Sequence, residues 1–126
     1  MSKIFNEVHQ LPKFKKDLKK LSKKHKTLPE DLEIFIDKQL KLFHKLKIDN
    51  GGVVRISDLG VNYPEIYKAR KFACRSLKGT GSRSGIRIIY AYYPDQEKIE
   101  FIEIYYKGDT DNENRQRILE YYKKEI

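Results

Sequence analysis

RSGIRIIYAYYPDQEKIEFIEIYYK, residues 83–107, holds two runs rich in Ile, Tyr and Phe on either side of Pro94-Asp95-Gln96-Glu97. Branched and aromatic side chains fit a pleated, half-buried surface, and a Pro-Asp segment has turn chemistry. The stretch therefore predicts two antiparallel strands, Ile86–Tyr93 and Lys98–Lys107. Upstream, Ile66 to Leu77 has the same character and predicts a third strand, joined to the hairpin through the turn residues Lys78 to Gly85. Farther out the apolar period changes from strand-like to helical. Leu11, Phe14, Leu18 and Leu21 recur at three- and four-residue steps, with Pro12 in what would be a first turn, giving an amphipathic helix whose other faces are lysine. Thr27 and Glu30 have capping-box spacing ahead of Leu32, Phe35, Ile36, Leu40 and Phe43, which predicts a second helix. Thr110 and Glu113 repeat that spacing ahead of Ile118, Leu119, Tyr122 and Ile126, which predicts a third. Ile48 to Pro64 reads as loop with a short strand at Val53–Ile56, and Ile4 to Val8 is a candidate edge strand. The expected fold is α+β: two N-terminal helices, a three- to four-stranded, mainly antiparallel sheet, and a C-terminal helix.

A chain of 126 residues supports one hydrophobic core and not two, so a single domain over 1–126 is expected. Lys and Arg number 27 against 18 Asp and Glu, a formal charge of +9, which favours a polyanionic partner such as nucleic acid or an acidic protein. The apolar residues lie in periodic runs, which excludes a disordered basic tail. Cys74 is alone, so no intramolecular disulfide forms, and MSKIFNEVHQ lacks an apolar run long enough for a signal peptide or membrane span. The expected compartment is the cytoplasm, with no membrane partner.

Cofactor and metal motifs fail on context. Gly79 and Gly81 are followed by a β-branched strand, where a dinucleotide loop would open a helix, and Ile86 stands where a Walker loop needs Lys followed by Ser or Thr. Asp109, Asp111, Glu113 and Glu120 fall at calcium-loop spacing, but Asn114 replaces the turn glycine, and the same acids suit a helix N-terminus. His9, His25 and His44 are scattered without a paired ligand and read as surface or boundary residues. No cofactor, metal or small-molecule partner is expected. Tyr90, Tyr92, Tyr93, Tyr105 and Tyr106 alternate along strands, where packing outweighs stacking on a nucleobase.

The basic residues carry the functional signal. Lys68 and Arg70 are two apart in a strand and share a face, Arg87 opens the next strand, and Arg75 lies between. Like charges on neighbouring strands cost about 0.2–1 kcal/mol per facing pair, so an outside anion must favour them or they form a solvated basic face. A phosphate fits, because guanidinium grips it in two places and clustered cations stabilise added charge without a metal. Were Leu77 to face Ile86 in a tight hairpin, Arg70 would lie about seven residues, roughly 20 Å, from Arg87 along the strand. A longer excursion with shifted register would bring them together. Lys16 and Lys20, on the lysine face of the first helix, suit dispersed contacts with RNA phosphates.

Three runs in order, Ile66-Tyr67-Lys68-Ala69-Arg70, Arg83-Ser84-Gly85-Ile86-Arg87-Ile88-Ile89-Tyr90 and Phe101-Ile102-Glu103-Ile104-Tyr105-Tyr106-Lys107, resemble the RelE/ParE superfamily of bacterial toxins, nearest its HigB-type RelE branch. The resemblance spans about Ile66 to Ile126 and implies the toxin of a type II toxin-antitoxin pair, a ribosome-dependent endoribonuclease that cuts mRNA without a metal. Its partners would be a cognate antitoxin, mRNA and the ribosome. On that resemblance Arg87 would stabilise the phosphate, Lys68 and Arg70 would hold or activate the backbone, and Lys107 would lie near the leaving group. Arg83 and Arg75 would add RNA contacts, and Tyr90 would be a core ring. The chain departs from the pattern after the last strand, where relatives carry a histidine or arginine with a tyrosine and Gly108 stands here. The acid and base are thus left open: Lys68 or Lys107, with pKa lowered by neighbouring cations, or Glu103 or Glu100. A gyrase inhibitor of the ParE kind and a non-catalytic RNA-binding module are the alternative functions.

Overall fold

The computed structural model describes residues 4–122. In chain order the elements are β1 (Glu7–Gln10), α1 (Pro12–Ser22), α2 (Leu28–Phe35) continuing as a π-helical stretch (Ile36–Lys45), β2 (Val53–Arg55), β3 (Glu65–Ala69), β4 (Ile86–Tyr93), β5 (Lys98–Tyr106) and α3 (Arg115–Tyr122). The fold is α+β, and its sheet runs β1-β5-β4-β3-β2. Five strands stand where three or four were expected, and the sheet is mixed, because β1 pairs parallel with β5 while the other neighbours are antiparallel. Three- and four-residue strands show too little alternation to be read locally, and β1 is defined by a partner some ninety residues away, as in the Val8–Ile99 pairing. It lies slightly beyond the expected Ile4–Val8. Its role is to cover part of the outer edge of β5, where an open row of N–H and C=O groups would invite foreign pairing. Farther along that edge, Leu11 N donates to Phe101 O (3.0 Å) and the Arg117 guanidinium donates to Ile102 O (2.9 Å).

Both expected capping boxes are replaced by other contacts. Thr27 Oγ1 donates to Asp31 Oδ2 (2.7 Å), and Glu30 accepts from Arg75. The third helix is capped by Asn114, whose Oδ1 accepts from Arg117 N (3.0 Å), while Glu113 turns away to Lys68. Ile118 is buried with Leu119 and Tyr122 packed beside it, as expected, and Ile126 lies outside the described residues. α2 does not stop at Phe35: its backbone widens, with Leu46 N reaching back five residues to Lys41 O. That winding advances each residue by less than the α-helical angle. His44 rather than Phe43 therefore follows Ile36 and Leu40 into the interior. So one histidine read as surface or boundary is a core residue.

Two apolar clusters cover the two faces of the sheet. Against one face, α1, α2 and the π-helical stretch bury Phe14, Leu28, Leu32, Phe35 and Leu40 on Ile88, Tyr90 and Phe101, with Phe14 stacked on Phe101 at 5.2 Å between centroids. Against the other, α3 and the loop after β2 bury Ile118, Ile56, Leu59 and Val61 on Ile66, Ile89, Ile102 and Tyr105. Each such side chain contributes about 1.5–3 kcal/mol. A β-bulge between the Ile89–Glu103 and Tyr90–Phe101 pairs leaves Ile102 unpaired, so Ile102 and Glu103 in succession both face α3.

The largest departure from expectation is β3, which ends at Ala69 and does not run to Leu77. Residues 70–85 make an excursion that closes on itself at Phe72, whose N–H donates to Ser82 O (3.0 Å) and whose carbonyl accepts from Ser84 Oγ. Phe72 is fully buried against Phe35. Such a residue at a strand-like spacing explains why the segment looks like a strand in sequence. Among the described residues no helix is long and apolar enough to cross a membrane.

Candidate nucleic-acid interface

The shorter β3 resolves the register. Ala69 pairs with Ile88, so one residue farther on Arg70 lies beside Arg87, and Arg87 Nη1 donates to Arg70 O (3.0 Å). Arg87 in turn pairs with Tyr105, and the adjacent row across the sheet is Lys68, Ile89, Glu103. Side chains alternate along a strand. Ile86 and Ile88 point into the α1–α2 core, so Arg87 projects to the α3 face, the face of Ile89 and Lys68. By strand geometry, about 4.8 Å between strands and 3.3 Å per residue, Lys68, Arg70 and Arg87 fall within roughly 10 Å of one another.

The three cations are held differently. Arg70 is exposed; its N–H donates to Gly52 O (2.8 Å) and its Nη2 to Gly51 O (3.3 Å), so the glycine turn before β2 supports it. Among the described residues Arg70, Arg83, Arg87 and Lys107 form no ion pair with a carboxylate. Lys68 does: its side chain, 17% exposed, donates through the ammonium to Oε1 of Glu113 (2.9 Å), whose side chain is 7% exposed. Burial pulls the Lys68 pKa down, but the hydrogen bond to Glu113 and the nearby Tyr105 hydroxyl outweigh it and leave the pKa above its ordinary value. For Lys68 the direction is thus opposite to the expected lowering by neighbouring cations, because a carboxylate sits closer than they do. Glu113 is held charged in return; burial raises its pKa, and Lys68 together with its own backbone N–H lowers it further. Its second oxygen lies 3.5 Å from Arg115 Nε.

Other residues singled out in the sequence take distinct places. The Lys107 side chain is exposed at the end of β5, its amide donating to Gly85 O (2.8 Å). Arg83 is exposed on the excursion. Arg75 is not with the others: its backbone N–H and Nε reach the buried Asp31 (3.1 and 2.7 Å) and its Nη2 reaches Glu30 (2.7 Å), tying the excursion to α2 on the far side of the sheet. Lys16 is exposed on α1, and Lys20 borders a cleft of about 180 Å³ with Lys24, Tyr105, Tyr106 and Thr110. Glu100 accepts from the hydroxyls of Tyr93 and Tyr122 (2.8 and 2.9 Å). Glu103 is buried and accepts from Asn114 N (2.8 Å); burial raises its pKa, and the Asn114 bond and Arg117 only partly offset this. The acids at calcium-loop spacing diverge, Glu113 to Lys68 and Glu120 to Lys13.

Three neighbours of the patch escaped sequence reasoning. Glu113 read as a capping acid. The Tyr105 hydroxyl is buried with no hydrogen bond of good geometry, next to Lys68, and burial raises its pKa against the pull of that ammonium. His25, after α1, brings its ring to 6.0 Å from Tyr106. Nothing local could have found these contacts, since Lys68 lies 45 positions from Glu113 and 37 from Tyr105, and His25 lies 81 from Tyr106. Tyr106 itself explains two glycines: a Cβ on Gly85, whose φ is +85°, would meet its Cε1 at 2.9 Å, and one on Gly108 would meet its Cε2 at 2.4 Å. The tyrosines otherwise pack, Tyr90, Tyr92 and Tyr105 buried and Tyr93 and Tyr106 half-buried.

The exposed Arg70 and the half-buried Arg87 are held by carbonyls with no carboxylate to neutralise them, an arrangement whose chemistry suits an anion. No family model matches the chain, and no curated protein matches it. Among solved structures it is similar to a chain of the archaeal RelE-RelB complex from Pyrococcus horikoshii OT3, with 19% identity over 81% of this chain and 94% of that one and a TM-score of 0.47.

Proposed function

We propose that the protein is a RelE-like toxin of a type II toxin-antitoxin pair, a cytoplasmic ribosome-dependent endoribonuclease. The observation that carries this reading is the register of β3 on β4, which sets the unneutralised Arg70 and Arg87 side by side on the face that also bears Lys68. Of the three sequence runs that resemble the family, the first supplies Lys68 and Arg70, the second Arg87 and the third Lys107. In the reaction proposed, the 2′-oxygen of the RNA attacks the adjacent phosphorus, its proton passes to a base, and the bond from phosphorus to the 5′-oxygen breaks. A cyclic phosphate and, once the leaving oxygen takes a proton, a 5′-hydroxyl result. Arg87 and Arg70 stabilise the charge that gathers on the phosphoryl oxygens. Lys68, charged through neutral pH, acts as a further positive charge rather than as the base, which leaves Lys107 as the patch lysine for proton transfer near the leaving group. Arg83, Lys16 and Lys20 provide RNA contacts, and Arg75, shared between two carboxylates, is an outer one. An antitoxin with an acidic segment suits the same face.

Induction of the chain in bacteria, with mRNA 5′ ends mapped and DNA breaks measured, tests this. Codon-phased mRNA cuts that disappear in Arg87→Ala are expected, with a loss of at least about a hundredfold for a group that stabilises the transition state. DNA breaks without such cuts would point to gyrase inhibition, and neither would leave an RNA-binding module.

A further inference from the structure

The cations of the α3 face are unequal. Arg70 and Arg87 offer N–H groups to solvent with only backbone carbonyls as partners, whereas Lys68 already holds an anion, the Glu113 carboxylate at 2.9 Å. An ammonium next to two unpaired guanidinium groups is where a bound polyanion would place its next phosphate. That place is filled by the chain's own carboxylate. Glu113 does not belong to a helix that needs it, because Asn114 caps α3 and Arg117 holds the helix to Asp17 at 2.6 Å and to Ile102 O. It sits in the irregular segment between β5 and α3. Nor would it be stranded on leaving Lys68, since Arg115 Nε lies 3.5 Å from its other oxygen. Exchange of Glu113 for a phosphate at Lys68 therefore replaces one charge-assisted pair with another while Glu113 keeps a cation.

We infer that Glu113 is an affinity-setting residue of the nucleic-acid face: it competes with the RNA backbone for Lys68, and RNA binds fully only by displacing it onto Arg115. This rests on the reading of the face as an RNA site. Competition weakens the contact with any one phosphate, so a single phosphate or a short fragment does not hold the seat, whereas a strand already anchored on Arg70 and Arg87 does. The device discriminates for a continuous strand.

Binding of a short fluorescent single-stranded RNA, measured by anisotropy over a range of salt, decides the matter. Glu113→Gln is expected to tighten binding about three- to tenfold at low salt and to steepen the dependence of log affinity on log salt by about 0.7, the signature of one more phosphate contact. Glu113→Asp keeps the charge but shortens the arm, and is expected to bind more tightly than wild type, because reach to Lys68 and not charge in the segment is what matters. On a Lys68→Ala background the gain from Glu113→Gln is expected to vanish. Thermal melting of each variant checks that the fold is kept. Unchanged or weaker binding by Glu113→Gln, or a gain that persists without Lys68, overturns the inference. Arg87→Ala separates it from the underlying reading: weaker binding there with a flat Glu113→Gln sinks the competition alone, whereas undiminished binding by Arg87→Ala sinks the RNA face itself.

Discussion

His44 is buried with Nε2 2.8 Å from the Tyr90 hydroxyl, inside a ring of Phe5, Phe43, Tyr67 and Tyr92. Burial first, and the Lys47 charge second, push its pKa from 6.5 down to about 3. The unfolded chain therefore takes up a proton that the folded one refuses across that interval. Stability falls as pH drops from about 6.5 towards 3 and is unaffected by this residue above it. Between pH 6.5 and 4 the contribution lost is about 3 kcal/mol. Urea unfolding at a series of pH values is expected to show that slope in the wild type and a flatter one in His44→Gln; equal slopes would refute the assignment. Composition and spacing gave no hint of this, because a histidine next to a phenylalanine on an apolar stripe enters the core or not according to the winding of the helix. Gly85 was easier. Its Ser-Gly context announces a turn, though the Tyr106 ring that forbids a side chain there comes from a strand twenty-one positions on.

At the scale of elements, the excursion of residues 70–85 decides where Arg70 stands, and α2 holds it. Asp31 gathers the Thr27 hydroxyl, the Arg75 backbone N–H and the Arg75 guanidinium; burial raises its pKa, but those bonds outweigh it and keep the carboxyl below its ordinary value. Asp31→Asn keeps the size and removes the charge. It is expected to cost about 2 kcal/mol, the worth of hydrogen bonds to a buried charged group, and to speed amide exchange in residues 72–85 ahead of exchange in β4 and β5. Uniform exchange across both regions would show that the anchor is not local. Alternation and β-propensity extended β3 to Leu77 because Phe72, Cys74 and Leu77 all turn inward; they do so in a loop that folds back onto Phe35 rather than in a strand.

At the scale of the whole molecule, the cations read as RNA contacts fall on both sides of the sheet. Arg70, Arg87 and Lys68 lie on the α3 face, whereas Lys16 and Lys20 ride on α1, which packs against the other. A long RNA can engage both. Lys16→Gln with Lys20→Gln is expected to weaken binding of a long structured RNA about two- to tenfold and to reduce its salt slope by about one to two units, with a much smaller change for a short oligonucleotide. Equal losses on both would mean that the α1 lysines belong to the same site. The central hairpin, the apolar stripe of α1 and the identity of the strand cations were written locally, in periodicity and in turn residues, because neighbours within a few positions set backbone preference and amphipathic pattern. Which cations stand together was not so written. The end of β3, the parallel docking of β1, the burial of His44 and the pairing of Lys68 with Glu113 depend on residues tens of positions apart meeting in space. Only the packed chain, in which buried area and charge pairing compete over such distances, settles them.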